Sequence, residues 1–269
     1  VIQRAKTTIF FVQHKHPGGE ITAMRRCFLL FTPLLLLTAP PLLANEEKPW
    51  SGEGGVGFIM TSGNSETESL NASLNVVYEK SRWRHSGGLQ ALYSAKEVET
   101  ETGGEQMQTS AEKYRASVKT DYKFTENNYA FLTGSYEDDR FSGYDYQATV
   151  AAGYGRRLFE TERFLMEAEI GPGYRYSRLE ESGETEGEAI LRAYTLFSAD
   201  LTETSAFKQE LSVEAGSDRT VTTSISSVQA DIMGALSMKA SYTLEHTSSV
   251  PEDTEKTDTE TALTLVYTF

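Results

Sequence analysis

Outside its first 44 residues the chain has two histidines, His85 and His246, and no cysteine, since the single cysteine is Cys27. That inventory limits nucleophilic chemistry to a serine or water activated by one of these two imidazoles and steadied by a carboxylate or amide, the arrangement of membrane-barrel lipases and proteases. His85 follows Arg82 and Trp83 beside a predicted tight turn, and His246 ends a segment near Ser248 and Ser249. His246 alone has a position from which an outer-leaflet lipid could be reached. Both read as strand-end polar residues, so no catalytic residue is expected and the chain is read as a non-enzyme. Thiolate metal sites and disulfide frameworks are excluded, and no cofactor or resident metal is expected.

A second set of chemically capable residues consists of charges that alternate with apolar neighbours. Lys113, Arg115, Lys119 and Asp121 interleave with Tyr114, Ala116, Val118 and Tyr122, and Lys208, Glu210 and Glu214 interleave with Phe207, Leu211 and Val213. Glu167, Glu169, Arg175, Arg192, Lys239 and Glu245 occupy comparable positions. Such charges do ionic work only if an architecture turns their face away from apolar surroundings.

The elements that would do so are β-strands. Period-two alternation recurs at Leu70, Ala72, Leu74, Val76 and Tyr78, at Leu236 to Leu244, and at Leu263, Leu265, Tyr267 and Phe269. The pattern predicts about twelve strands near 50–61, 67–79, 83–95, 110–124, 128–138, 144–159, 163–177, 187–201, 205–217, 220–233, 235–247 and 257–269. The tenth is the least regular, its alternation slipping at Ser226 and Ser227. Links after even-numbered strands are tight, while the others are longer and polar, including 96–105 and 178–188.

Alternating tight and long links, with strands at or above the ~9–11 residues needed to cross a bilayer at a tilt, predict an all-β, transmembrane up-and-down antiparallel barrel. Aromatics beside the tight turns (Tyr78, Trp83, Phe124, Tyr129, Phe159, Phe164, Phe207, with Trp50 and Phe269 at the same level) are expected to form a girdle at one interface. The charged parity then faces the barrel interior, making Lys113, Arg115, Lys119, Glu167, Glu169, Arg175, Arg192, Lys208, Glu210, Glu214, Lys239 and Glu245 candidate lumen-lining residues. Opposed charges there either pair and seal the lumen or line a narrow polar pore. A soluble sandwich or barrel would show the same alternation, but not the one-sided aromatics or the leader described next.

From Met24 the chain reads as two arginines, an apolar run from Cys27 to Leu37, Pro40, Pro41 and Ala44. This is the pattern of a secretory signal peptide over 24–44, cleaved after Ala44. Residues 1–23 are expected to be a mis-assigned upstream extension, 45–49 a periplasmic tail and 50–269 the barrel, with both barrel termini in the periplasm. The final Tyr267 and Phe269 are expected to act as the signal read by the barrel-assembly machinery.

The whole chain carries a formal charge of −14. Residues 1–44 hold five of the 25 basic and one of the 39 acidic residues, leaving −18 for the remainder. So acidic a chain repels phosphate backbones, and no nucleic-acid partner is expected. Outer-membrane lipid and lipopolysaccharide are the expected surroundings. Carboxylates crowd two links, Glu97, Glu99, Glu101 and Glu105 in one and Glu180, Glu181, Glu184, Glu186 and Glu188 in another. Their spacing matches no calcium loop, and they read as solvated surface.

Trp50-Ser51-Gly52 leading to Thr61-Ser62-Gly63-Asn64, then Asp139-Arg140-Phe141-Ser142-Gly143, Gly153-Tyr154-Gly155, Gly171-Pro172-Gly173-Tyr174, and Lys256-Thr257-Asp258-Thr259-Glu260 to Tyr267-Thr268-Phe269 stand in this order over most of the chain. In these motifs the chain resembles the family of salt-induced outer-membrane proteins, defined by a domain of unknown function. The resemblance implies a Gram-negative outer-membrane barrel and a link to salt stress, with no established catalytic residues to carry over. Two functions are compatible with all of this: a narrow passive channel for small solutes or ions, or a closed structural barrel of the envelope with acidic surface loops.

Overall fold

A computed structural model describes residues 49–61, 67–99, 105–251 and 254–269. The predicted signal peptide, its cleavage site at Ala44, the upstream extension, most of the periplasmic tail, and Ser62, Gly63, Asn64 and Glu101 lie outside the described residues.

Twelve strands run in chain order: β1 Trp50–Thr61, β2 Thr67–Lys80, β3 Trp83–Glu99, β4 Glu105–Lys123, β5 Asn128–Asp139, β6 Tyr144–Glu160, β7 Phe164–Leu179, β8 Thr185–Thr202, β9 Ser205–Gly216, β10 Thr220–Met233, β11 Leu236–Thr247 and β12 Thr257–Thr268. Each pairs antiparallel with its sequence neighbours, and β1 pairs with β12 to close the barrel. Closure satisfies the backbone groups that an open sheet would leave exposed to hydrocarbon.

The alternation sets the two faces. Val56, Phe58, Leu89, Val118, Leu132, Val150, Ile170, Leu191, Leu263 and Leu265 are exposed on the outer wall, all on the parity opposite to the charged residues. Around one rim Trp50 packs against Tyr78 with ring centroids 4.7 Å apart, Trp83 against Tyr122 at 4.9 Å, and Phe197 against Phe164 and Phe207 at 6.3 and 6.4 Å. An apolar wall with an aromatic girdle around a closed antiparallel barrel is a membrane-spanning surface. The protein is an outer-membrane barrel.

Four expectations change. The polar link predicted at 96–105 is strand at its described residues, 96–99 and 105, because β3 and β4 stay paired as far as Glu99 and Glu105. This hairpin continues past the apolar wall, since backbone pairing needs no lipid to sustain it. Second, the β5–β6 and β7–β8 links shorten similarly, to 140–143 and 180–184, while β9 and β10 are joined by three residues, 217–219, in place of two. Third, Tyr129 is not in the girdle. It is buried on the inner face. Both parities of β5 carry apolar residues, and alternation could not assign it. Fourth, Glu188 is no solvated loop carboxylate: it lies in β8, is buried, and bonds to Arg175 at 2.9 Å. β10 is continuous through its irregular serines. Ser224 and Ser226 share the outer face with Gln209 and bond to it at 3.0 and 2.5 Å, which satisfies their polar groups on an otherwise apolar wall.

Candidate functional site in the barrel interior

The inner face is identified by bonds that a wall-bound side chain cannot make. Lys119 on β4 pairs with Glu169 on β7, and Arg84 on β3 with Glu167 on β7 at 3.6 Å. Two or three strands lie between these partners along the wall, so the pairs cross the interior. All twelve candidates named above share this inner parity.

Glu169 is the hub of the larger cluster, toward the end of the barrel with the tight turns. It accepts from Tyr129 Oη at 2.9 Å and from Arg192 Nη1 at 3.1 Å, besides its pair with Lys119. Lys119 also meets Asp121 at 3.1 Å, and Arg84 reaches Asp121 at 3.4 Å. Arg157 lies 3.4 Å from Glu167. The side chains of Glu169 and Glu167 are 0% and 2% exposed. Charges so deeply withdrawn persist only where partners replace the lost water, and each has at least two. Phe131 and Tyr129 pack beside them, with the Arg192 guanidinium 5.7 Å from the Phe131 ring. The ring of Tyr129 lies over Gly155, where a Cβ would fall 2.2 Å from it, which explains the last glycine of Gly153-Tyr154-Gly155.

Nearer the other end, Arg175 holds Glu188 at 2.9 Å and Glu214 at 3.0 Å. Lys113 holds Glu137 at 3.1 Å and Asp139 at 3.4 Å, and Arg115 meets Glu137 at 3.4 Å. Back toward the tight-turn end, Lys208 pairs with Glu210 at 2.8 Å, and Tyr194 donates to Glu210 at 2.7 Å. Lys239 lies 3.4 Å from Glu53, and Glu245 accepts from Thr223 at 3.3 Å.

The interior is therefore asymmetric. Large ionic and aromatic side chains fill the side made by β3–β9. From β10 through β12 and β1 to β2 the inner positions are mainly small and polar: Ser227, Ser237, Ser241, Thr243, Thr264, Gly55, Gly57, Ser69, Asn71 and Ser73. Water reaches the charges that border this side. Lys208, Arg115 and Lys239 are 45%, 37% and 27% exposed, although they face inward.

Neither histidine enters the interior. His85 is exposed, bonds to Thr120 at 3.1 Å and stacks on Trp83, and His246 is exposed and bonds to Thr257 at 2.8 Å. Ser248 receives the Thr220 backbone N–H instead of facing His246. Sequence reasoning missed Arg84, Arg157, Glu137 and Arg219. Parity would have found the first three, since Arg84 alternates with His85 and Gly87, Arg157 with Arg156 and Leu158, and Glu137 with Tyr136. Arg219 sits in a link, where parity has no meaning.

With this geometry in hand, comparison with known proteins is informative. Residues 54–269 match the family described as "Protein of unknown function, DUF481". The chain belongs to this family. A DUF481-type barrel is thus the setting for the charge network above. The "Uncharacterized protein YdiY" of Escherichia coli (strain K12) is 28% identical over 227 residues, covering 83% of this chain and 85% of the relative. Among solved structures, the NanC porin aligns at 10% identity over 81% of this chain and 98% of its own, with a TM-score of 0.48. The translocator domain of the autotransporter NalP from Neisseria meningitidis aligns at 12% identity over 82% and 87%, with a TM-score of 0.46.

Proposed function

We propose that this barrel is a narrow passive channel for small polar solutes or ions and performs no covalent chemistry. The supporting observation is the asymmetric interior: a strip of small hydroxyl, amide and glycine positions runs along β10–β12, β1 and β2 beside a packed ionic wall, with Ser69, Asn71, Ser73, Ser241 and Thr243 half-buried and Lys239 and Glu53 within it in contact with water. Small polar linings let a hydrated solute exchange water for hydroxyls and amides without binding tightly. In this reading the tight-turn end faces the periplasm, the opposite end faces outward, and lipid and lipopolysaccharide surround the wall.

A second reading is a closed envelope barrel, favoured by the burial of Glu167 and Glu169, whose network occupies much of the cross-section. Planar-bilayer recording of the purified, folded protein separates the two. Small, discrete openings are expected. A folded protein without openings would leave the closed barrel.

A further inference from the structure

Two parts of the chain reach across the long-link end of the barrel and finish on the same residues, Gly143 and Tyr144, where β6 begins. The first is Arg219, in the β9–β10 link. It bonds through Nη1 to the Tyr144 hydroxyl, and its Nη2 donates to Gln147 Oε1 at 2.9 Å and Ser177 Oγ at 2.6 Å. β10 and β6 stand four strands apart, a third of the way around. Arg219 therefore reaches across the interior from the link, over the same strand separation that Arg84 and Glu167 span. Arg175 supports the link from below by donating to the Arg219 carbonyl at 3.4 Å, and Glu188 by accepting the Asp218 backbone N–H at 3.0 Å. The second part is the β11–β12 link, whose Pro251 and Thr254 lie against Gly143. A Cβ there would come within 3.0 Å of both, on a backbone already at a φ of +76°. The β11–β12 link and the β5–β6 link that carries Gly143 are on opposite sides of the barrel, six strands apart.

The two kinds of interior arginine differ in how they are compensated. Arg192 and Arg175 each face a carboxylate within 3.1 Å. Arg219 is 6% exposed, yet its bonds go to neutral groups, its nearest carboxylate is Glu186 at 4.0 Å, and its Nε has no partner. A guanidinium held out of water by neutral acceptors, an aromatic ring at 4.4 Å and one carboxylate at 4.0 Å is retained less firmly than one in a close ion pair, and water just outside the mouth offers equivalent bonds. The ion pairs on β7 and β8 are integral to the wall. The Arg219 side chain can let go of Tyr144, Gln147 and Ser177 without breaking the pairs of Arg175 with Glu188 and Glu214, which touch the link only through its backbone at Arg219 and Asp218.

We infer that Arg219 is a latch: bonded to Tyr144, Gln147 and Ser177 it spans the mouth from the β9–β10 link, and its release opens the lumen. This inference rests on the channel reading above. The test is planar-bilayer recording of the full chain as wild type, Arg219→Ala, Tyr144→Phe and the double variant, with folding of each checked by heat-modifiable mobility on gels. Tyr144→Phe removes one acceptor while keeping Arg219 and the ring, and so covers the case in which Arg219→Ala does not fold. The expected result is a several-fold rise in open probability for Arg219→Ala, a smaller rise for Tyr144→Phe, and no further gain in the double variant. Equal open probability in wild type and folded variants would overturn the latch while leaving the channel. Absence of current from every folded form, unlatched ones included, would overturn the channel reading and the latch with it.

Discussion

Thr264 on β12 donates a hydrogen bond to Oδ1 of Asn71 on β2 at 3.1 Å, although β1 stands between their strands. The bond passes over Gly55 and Gly57. A Cβ on Gly57 would fall 2.4 Å from the Leu263 carbonyl oxygen and 2.5 Å from the Asn71 amide nitrogen, and one on Gly55 would fall 2.7 Å from Thr264 Cγ2. The bridge matters because the closing seam is short. β1 and β12 are in register over four residue pairs, Glu53–Val56 against Leu265–Thr268, while every other seam runs over eleven or more. Missing side chains on β1 thus let its neighbours join each other where the ladder between β1 and β12 stops.

Gly57→Ala is expected to weaken the barrel by about 1–3 kcal/mol, the usual range for forcing a methyl into occupied space, because the nearest obstacle is backbone. Gly54→Ala is the control, since a Cβ there meets nothing within 4 Å. Urea unfolding in detergent or lipid vesicles reads the difference. Equal midpoints for the two variants would refute the seam argument.

Ion pairs in the interior should divide into two energetic classes. Glu169→Gln strips the carboxylate charge from Lys119, Arg192 and the Tyr129 hydroxyl, leaving Arg192 without its ion pair and Lys119 with Asp121 alone, and a loss of about 3–5 kcal/mol is expected. Lys239→Ala breaks a pair washed by water on both sides, and its cost should stay within about 1 kcal/mol. Denaturant midpoints measured under one condition compare them. A Glu169 variant as mild as the Lys239 variant would show that the hub is solvated.

The strand pattern, the barrel and the inward parity of charges were legible because a membrane wall imposes one physical rule at every second residue. Where that rule loses force, so did the reading. Tyr129 and Phe131 sit on a strand with apolar residues on both faces, and alternation could not say that they pack against Glu169 and Arg192. Glu188 looked like one carboxylate among several in an acidic link, and only the continuation of β8 beyond the apolar wall turns it toward Arg175. Arg219 lies in a link, where its burial depends on Tyr144 and Ser177, far away in sequence.

Phe269 closes the barrel at the tight-turn rim. Its N–H donates to the Gly52 carbonyl at 2.9 Å, its carbonyl accepts from the Gly52 N–H at 3.0 Å, and its ring covers the space where a Gly52 side chain would stand. With so short a seam, deleting Phe269 removes a substantial part of its backbone pairing as well as the terminal aromatic proposed as the assembly signal. Folded barrel recovered from outer membranes should drop several-fold. Refolding in vitro tells the two roles apart: a truncated chain that refolds at the normal yield in detergent but fails in cells has lost the signal, while failure in both has lost the seam.

The pair formed by Lys239 and Glu53 gives a handle on what the small polar strip admits. Both face the interior, both retain contact with water, and Asn75 donates to the same Glu53 carboxylate at 3.2 Å. Lys239→Glu replaces one positive charge by a negative one and leaves Glu53 without its partner, so the strip becomes more negative by two charges. In a narrow, low-dielectric lumen that field enriches cations over anions. Under a potassium chloride gradient the reversal potential should move toward the potassium equilibrium value relative to wild type. The shift should shrink as ionic strength rises and screening takes hold. An unchanged reversal potential in a conducting variant would mean that ions do not pass beside β11 and β1, and that any pore lies elsewhere in the interior.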